Sequence, residues 1–286
     1  MTKTSDYIQL IKLRLSLLVV FSAAISFLIA SREIGLDWLK FTMLIVGGFL
    51  VTGSSNAFNQ IIEKDLDKLM TRTASRPLPN GRMMEKEAYI VSFAMGIIGI
   101  LILWIFMNPL SGILGFAALL LYTMFYTPMK RQTPFAVFIG AFPGAIPPLL
   151  GCIAATNGFG HISSYAWVLF FVQFMWQFPH FWAIAWVLDD DYKKAGFYML
   201  PSKGGRDKKS AFQILVYTLF LVPVSLAPVF LKISGNISFI IILACGIVFS
   251  YHAFKLFKDN SVESARKLMF GSFMYLPIVQ LATLLG

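Results

Sequence analysis

Long apolar runs closed by short polar clusters repeat from one end of this chain to the other. Each run has roughly the 17–25 residues needed to cross the hydrocarbon core of a bilayer. Nine are read: 15–30, 39–59, 88–107, 110–126, 134–155, 164–188, 211–231, 236–254 and 267–285. Helices are the expected form, because lipid cannot satisfy open backbone groups. The pattern predicts an all-α, polytopic membrane protein, a bundle of nine transmembrane helices. Little chain remains outside the spans, so residues 1–286 are expected to form one integral membrane domain.

Composition agrees: 57% of residues are hydrophobic, 13% are charged, and the mean hydropathy is +0.72. The basic residues set the orientation. Of 24 Lys and Arg, all but Arg32, Lys40 and Lys232 fall at the N-terminus or in the loops after the second, fourth, sixth and eighth runs. The positive-inside rule then places the N-terminus in the cytoplasm and the C-terminus outside. The net charge of +10 is explained by topology, and no nucleic-acid partner is implied. Cys152 and Cys245 lie within apolar runs without metal-site spacing and read as small core residues. No cleavable signal or transit peptide is apparent, and a bacterial inner membrane fits best.

The chemistry gathers in the loops. Asn59, Glu63 and Asp67 are spaced i, i+4, i+8, so on a helix they share one face, while Asp65 points elsewhere. An amide and two carboxylates in a row suit a hard cation such as Mg²⁺. Arg72 and Arg76 follow at once, and guanidinium forks suit diphosphate oxygens. The plain alternative is a solvated cap whose charges merely pair. A second acidic cluster, Asp189, Asp190 and Asp191, follows the sixth run on the same side. Between the two lies YTPMKRQTP, residues 126–134, where Pro128 marks a helix end and Lys130 and Arg131 add positive charge for the same diphosphate or for topology alone. The fifth run carries Gly140, Pro143, Gly144, Pro147, Pro148 and Gly151, which reads as a kinked helix lining a pocket or as a tight packing seam. His180, in WQFPHFWAIAW, is an intramembrane ionisable residue. It suits axial ligation of a haem iron or a structural hydrogen bond.

Together these strings resemble the UbiA superfamily of intramembrane prenyltransferases, and within it the protohaem IX farnesyltransferase (haem O synthase) branch. NxxxD/ExxxD is met by Asn59, Glu63 and Asp67, and MxRTxxRPLP by Met70 to Pro79. YTPxKRxTP is met by Tyr126 to Pro134, and GAxPPLxG by Gly144 to Gly151. PHFWAxA, Pro179 to Ala185, and DDYxxAGxxMLP, Asp190 to Pro201, are the strings that select the haem branch. One departure is Asp189, which stands where that branch carries a basic residue.

The resemblance implies a bundle around a cavity in which two acidic motifs hold Mg²⁺ against a prenyl diphosphate. The implied metal set is Glu63, Asp67, Asp190 and Asp191, with Asn59 beside it. Arg72, Arg76, Tyr126, Lys130 and Arg131 would serve the diphosphate, and His180 the haem. The implied reaction joins the farnesyl group of farnesyl diphosphate to a vinyl group of haem b, with water completing the addition. Haem b is thus a substrate, and contact with haem A synthase or with terminal oxidase assembly would follow. Two rivals stand beside this. One is a UbiA-type enzyme with an aromatic, quinone-precursor acceptor. The other is a membrane transporter, which would normally carry its ionisable groups near the midplane rather than at the cytoplasmic ends.

Overall fold

The structure, a computed structural model, describes residues 3–286, with Glu33 described by its backbone only. Among the described residues nine helices are long and apolar enough to cross a membrane: Leu13–Arg32, Trp38–Ile62, Glu85–Met107, Pro109–Met129, Ala136–Ala154, Ser164–Val187, Lys208–Phe230, Asn236–Asp259 and Val262–Leu285. These are the nine spans read from the sequence, with boundaries moved by a few residues. No strand occurs among the described residues. The outward faces carry bulky apolar side chains such as Ile105, Met124, Ile240 and Met274. A multi-pass membrane protein is what such a surface requires, since water would not tolerate so much exposed apolar area.

The helix starts are locally encoded. Asp37, Asn108, Ser163, Asp207 and Ser261 each accept a hydrogen bond from a backbone N–H three residues on, at Lys40, Ser111, Ala166, Ser210 and Ser264. These side chains satisfy amide donors that the helix itself leaves unpaired. Successive spans pack side by side around a ring that the ninth closes against the first, while the first also crosses the fifth and the sixth crosses the ninth. At the crossing of the first and fifth spans a Cβ on Gly151 would stand 2.1 Å from the Ala23 carbonyl oxygen, so only glycine allows this approach.

The fifth span shows why its prolines are tolerated. Pro148 has no N–H to return to the carbonyl of Gly144. Gln173 of the sixth span supplies the missing donor, its Nε2 lying 2.7 Å from that oxygen. Gln177 Nε2 donates to the Ala141 carbonyl at 2.9 Å. Gln280 of the ninth span donates to Gln173 Oε1 and to Ser22 Oγ, both at 3.0 Å. Four spans are thereby tied through one buried amide network, which covers the carbonyl that Pro148 leaves bare.

The N-terminal helix Lys3–Leu10 lies across the end of the second span. Gln60 Nε2 donates to the carbonyls of Gln9 and Leu10 at 2.7 and 2.9 Å, and Asn56 Nδ2 to Ser16 Oγ at 3.1 Å. Arg82 reaches back to Asp6 at 2.9 Å and fastens the following loop to the same helix. The chain then turns into the first span at Lys12, whose φ of 48° and ψ of 58° are left-handed.

Candidate functional site

The second span ends at Ile62, and Glu63 (φ −95°, ψ 5°) is a joint before the single turn Lys64–Asp67. The continuous helix expected from the spacing is therefore broken. The amide ladder nonetheless runs on, with Glu63 N–H donating to Asn59 O at 3.0 Å and Asp67 N–H to Glu63 O at 2.7 Å. Asn59, Glu63 and Asp67 remain stacked and all are buried. Asp65 is exposed and pairs with Lys68 at 3.0 Å.

Three basic side chains converge on this face. Arg76 Nη1 lies 2.6 Å from Asp67 Oδ2, and Lys130 Nζ lies 2.9 Å from Glu63 Oε1. Lys12 Nζ donates to Asn59 Oδ1 at 2.8 Å, and Asn59 Nδ2 to Thr127 Oγ1 at 3.3 Å. Lys130 also stands 4.7 Å above the centre of the Tyr126 ring. That ring belongs to a π-helical turn, Leu121–Tyr126, and fills the space over Gly140, where a Cβ would come within 2.6 Å of it. The wide turn and the glycine together seat the tyrosine beneath the ammonium.

The electrostatics are those of a crowded, poorly hydrated cluster. Burial pushes the Asp67 carboxyl above its ordinary range against the pull of Arg76. Burial, with Arg76 and Lys130 close by, pushes the Lys12 ammonium down to about 7. Burial would also lower Lys130, but Glu63 with Tyr126 and Tyr122 outweigh it and raise that ammonium. Asp67 Oδ1 is enclosed and has no hydrogen-bond partner among the described residues. A bare carboxylate oxygen so placed is costly unless something binds it. Mg²⁺ commonly takes one or two carboxylates and completes its shell with substrate phosphate and water. Glu63, Asp67 and Asn59 fit that requirement.

The second acidic cluster opens the short helix Asp189–Lys194. Asp191 accepts the backbone N–H groups of Thr71 and Arg72 at 2.8 and 3.3 Å, and Lys194 Nζ reaches Thr71 Oγ1 at 2.7 Å. Partial burial works to raise the Asp191 carboxyl, yet these amides and Lys194 hold it below its ordinary range. Asp190 is exposed and pairs with Arg206 at 2.8 Å. Asp189 is buried, 2.7 Å from Lys193. The four carboxylates expected to hold metal together do not stand as one cluster. Among the described residues no three His, Cys, Asp or Glu side chains are grouped to enclose an ion. Arg206 and the amides of residues 71–72 have taken the acids of the second loop.

Of the other expected residues, Arg72 and Arg131 are exposed at the rim. Arg72 meets Asp191 through its backbone only, and Arg131 lies beside Gly196. The loops are also joined where Tyr198 N–H donates to the Lys130 carbonyl at 3.2 Å. His180 is buried between the sixth and ninth spans, 2.7 Å from Ser272 Oγ, and shares no hydrogen bond or ion pair with the acidic face. Two features escaped the sequence. Lys12 reads as an ordinary topological charge, and the Asp191 clasp joins residues about 120 positions apart. The only local signal for Lys12 is its position at the entry to the first span.

The sequence profile of the UbiA prenyltransferase family matches residues 18–276. The chain is 49% identical over 279 residues to the protoheme IX farnesyltransferase of Cytophaga hutchinsonii, with 98% of this chain and 96% of that relative covered. Its fold is similar to that of a solved digeranylgeranylglyceryl phosphate synthase, at a TM-score of 0.82 and 26% identity, covering 100% of this chain and 99% of the other. A UbiA homologue from Archaeoglobus fulgidus, solved bound to GPP and Mg²⁺, shares the fold at a TM-score of 0.68 and 13% identity, covering 97% and 99%. The chain is a member of the UbiA prenyltransferase family.

Proposed function

We propose that this protein transfers the farnesyl group of farnesyl diphosphate to a vinyl group of haem b. The bond between farnesyl C1 and the diphosphate oxygen breaks, and C1 joins the terminal vinyl carbon. Water adds its hydroxyl to the inner vinyl carbon and releases a proton, so diphosphate and a hydroxyethylfarnesyl haem are the products. The observation that carries the transfer chemistry is the buried face in which Asn59, Glu63 and Asp67 meet Lys12, Arg76 and Lys130. The acceptor is supported by the near full-length similarity to a protoheme IX farnesyltransferase.

Arriving with its metal, the diphosphate would exchange partners with the ion pairs now present. Glu63 and Asp67 would hold Mg²⁺, which would supply charge neutralisation for the departing diphosphate. Arg76, Lys130 and Lys12 turn to the phosphate oxygens, where negative charge grows in the transition state. Tyr126 holds Lys130 in place beneath its ammonium. Arg72 and Arg131, at the rim, would meet the outer phosphate. Asp190 and Asp191 complete the proposed acidic set only by giving up Arg206 and the residue 71–72 amides. The apolar interior then keeps bulk water from the allylic cation.

We also propose that the whole chain acts as one unit in a bacterial inner membrane, with its N-terminus and both acidic loops in the cytoplasm. The basic residues of these loops support that orientation.

The test is acceptor choice. Purified protein in lipid nanodiscs, given farnesyl diphosphate, Mg²⁺, haem b and a 4-hydroxybenzoate competitor, should yield a pigment with the mass of haem b plus a farnesyl and a hydroxyl group. Prenylation of the aromatic acid with haem b left unchanged would overturn the acceptor assignment.

A further inference from the structure

Ser272 of the ninth span is fully enclosed and touches two aromatic side chains of the sixth. Its backbone carbonyl accepts the Trp176 indole N–H at 2.9 Å. Its hydroxyl donates to the Met269 carbonyl at 2.6 Å and lies 2.7 Å from His180 Nδ1. A hydroxyl has one proton, and here it is directed at Met269. The hydrogen between Ser272 and His180 must therefore come from the imidazole. The neutral ring then carries its proton on Nδ1 and its lone pair on Nε2.

Nε2 has no hydrogen-bond partner among the described residues, and it is not among the fully enclosed polar atoms. The ring itself is held firmly. Trp176 stacks on it at 4.1 Å and 20°, and the Phe181 and Phe273 rings meet it edge-on at 5.1 and 5.2 Å. A histidine kept for packing gains nothing from a clamp that leaves one nitrogen bare, since buried polar atoms ordinarily find partners. Metal-ligating histidines show this arrangement, donating one ring N–H to an oxygen while the other nitrogen meets the metal. Phe273 is 42% exposed, so the seam between the two spans reaches the outer, lipid-facing surface, from which an amphiphilic macrocycle can approach.

We propose that Ser272 is a positioning residue for the haem acceptor: its hydroxyl fixes His180 as the Nδ1–H tautomer, and its carbonyl fixes Trp176 against the ring, so that Nε2 ligates the haem iron. This rests on the haem-acceptor reading above.

The test uses the full-length protein in nanodiscs, titrated with haem b and followed by its Soret band. Mg²⁺-dependent binding of a non-reactive farnesyl thiolodiphosphate is measured beside it. Ser272→Ala should weaken haem binding by on the order of 10-fold or more and shift the bound spectrum, as loss of an outer-shell partner does. Ser272→Thr should restore both, and His180→Ala should remove the same spectral feature. Affinity for the thiolodiphosphate should stay at the wild-type value in all three. If Ser272→Ala does not fold, Ser272→Cys, a weaker acceptor of similar size, carries the same expectation. A wild-type spectrum and haem affinity in the Ser272 variant would overturn the proposal. So would an unchanged spectrum in His180→Ala, and the haem-acceptor reading would survive either result. A wild-type protein showing no saturable haem spectrum would instead remove that reading itself.

Discussion

Arg76 and Asp67 form the tightest ion pair of the candidate site, with Nη1 2.6 Å from Oδ2, yet the second oxygen of the same carboxylate is enclosed and unbonded. One half of the carboxylate is neutralised and the other is left for a ligand. Asp67→Asn keeps the size but removes the charge. Turnover should fall about 100-fold or more, the scale of losing one group that stabilises transition-state charge. Asp65→Asn, on the exposed side with Lys68, should leave turnover near wild type. Steady-state rates at saturating Mg²⁺ decide it, and equal losses would refute the shared-face arrangement.

Lys12 donates to Asn59 Oδ1 at 2.8 Å from the entry of another helix. Lys12→Met removes its ammonium while keeping the apolar stem. It should raise KM for the prenyl diphosphate by about tenfold or more, equivalent to about 1.4 kcal/mol, near the lower edge of the range for a hydrogen bond to a charged group. KM for haem b should not move. A change confined to the haem KM would place Lys12 outside the diphosphate region.

Asp191 clasps the first loop through the N–H groups of Thr71 and Arg72. Because its carboxyl is held below the ordinary range, the clasp stabilises at neutral pH and is lost as pH falls through that depressed range. Asp191→Asn should release the 68–84 loop at neutral pH, seen as faster amide exchange at residues 71 and 72. Asp190→Asn, whose partner is Arg206, should leave that exchange unchanged.

Gln173→Leu removes the donor that covers the Gly144 carbonyl left bare by Pro148. An enclosed acceptor without a partner costs about 1–3 kcal/mol. The thermal midpoint in detergent should drop measurably, while Gln213→Leu, at an exposed site on the seventh span, should not change it.

The spans were legible in the sequence because crossing a bilayer demands a length and polarity that nothing else in a chain imitates. The acidic face was legible because i, i+4 spacing survives even the joint at Glu63. Lys12 was hidden, since only the left-handed corner before the first span aims it at Asn59 across 47 residues. The partition of Asp189, Asp190 and Asp191 was hidden for the same reason. Three adjacent acids are alike in sequence, and it is Arg206, Lys193 and the distant amides of residues 71–72 that assign them different partners.

The central claim is that Asn59, Glu63 and Asp67, with Arg76, Lys130 and Lys12, receive a metal-bound prenyl diphosphate. Calorimetric titration of farnesyl thiolodiphosphate into the purified protein, with Mg²⁺ and with EDTA, tests it most directly. Binding by the wild type should depend on Mg²⁺, and Asp67→Asn should lose that dependence while keeping a wild-type haem spectrum. Wild-type affinity in EDTA, or undiminished Mg²⁺ dependence in Asp67→Asn, would contradict the account.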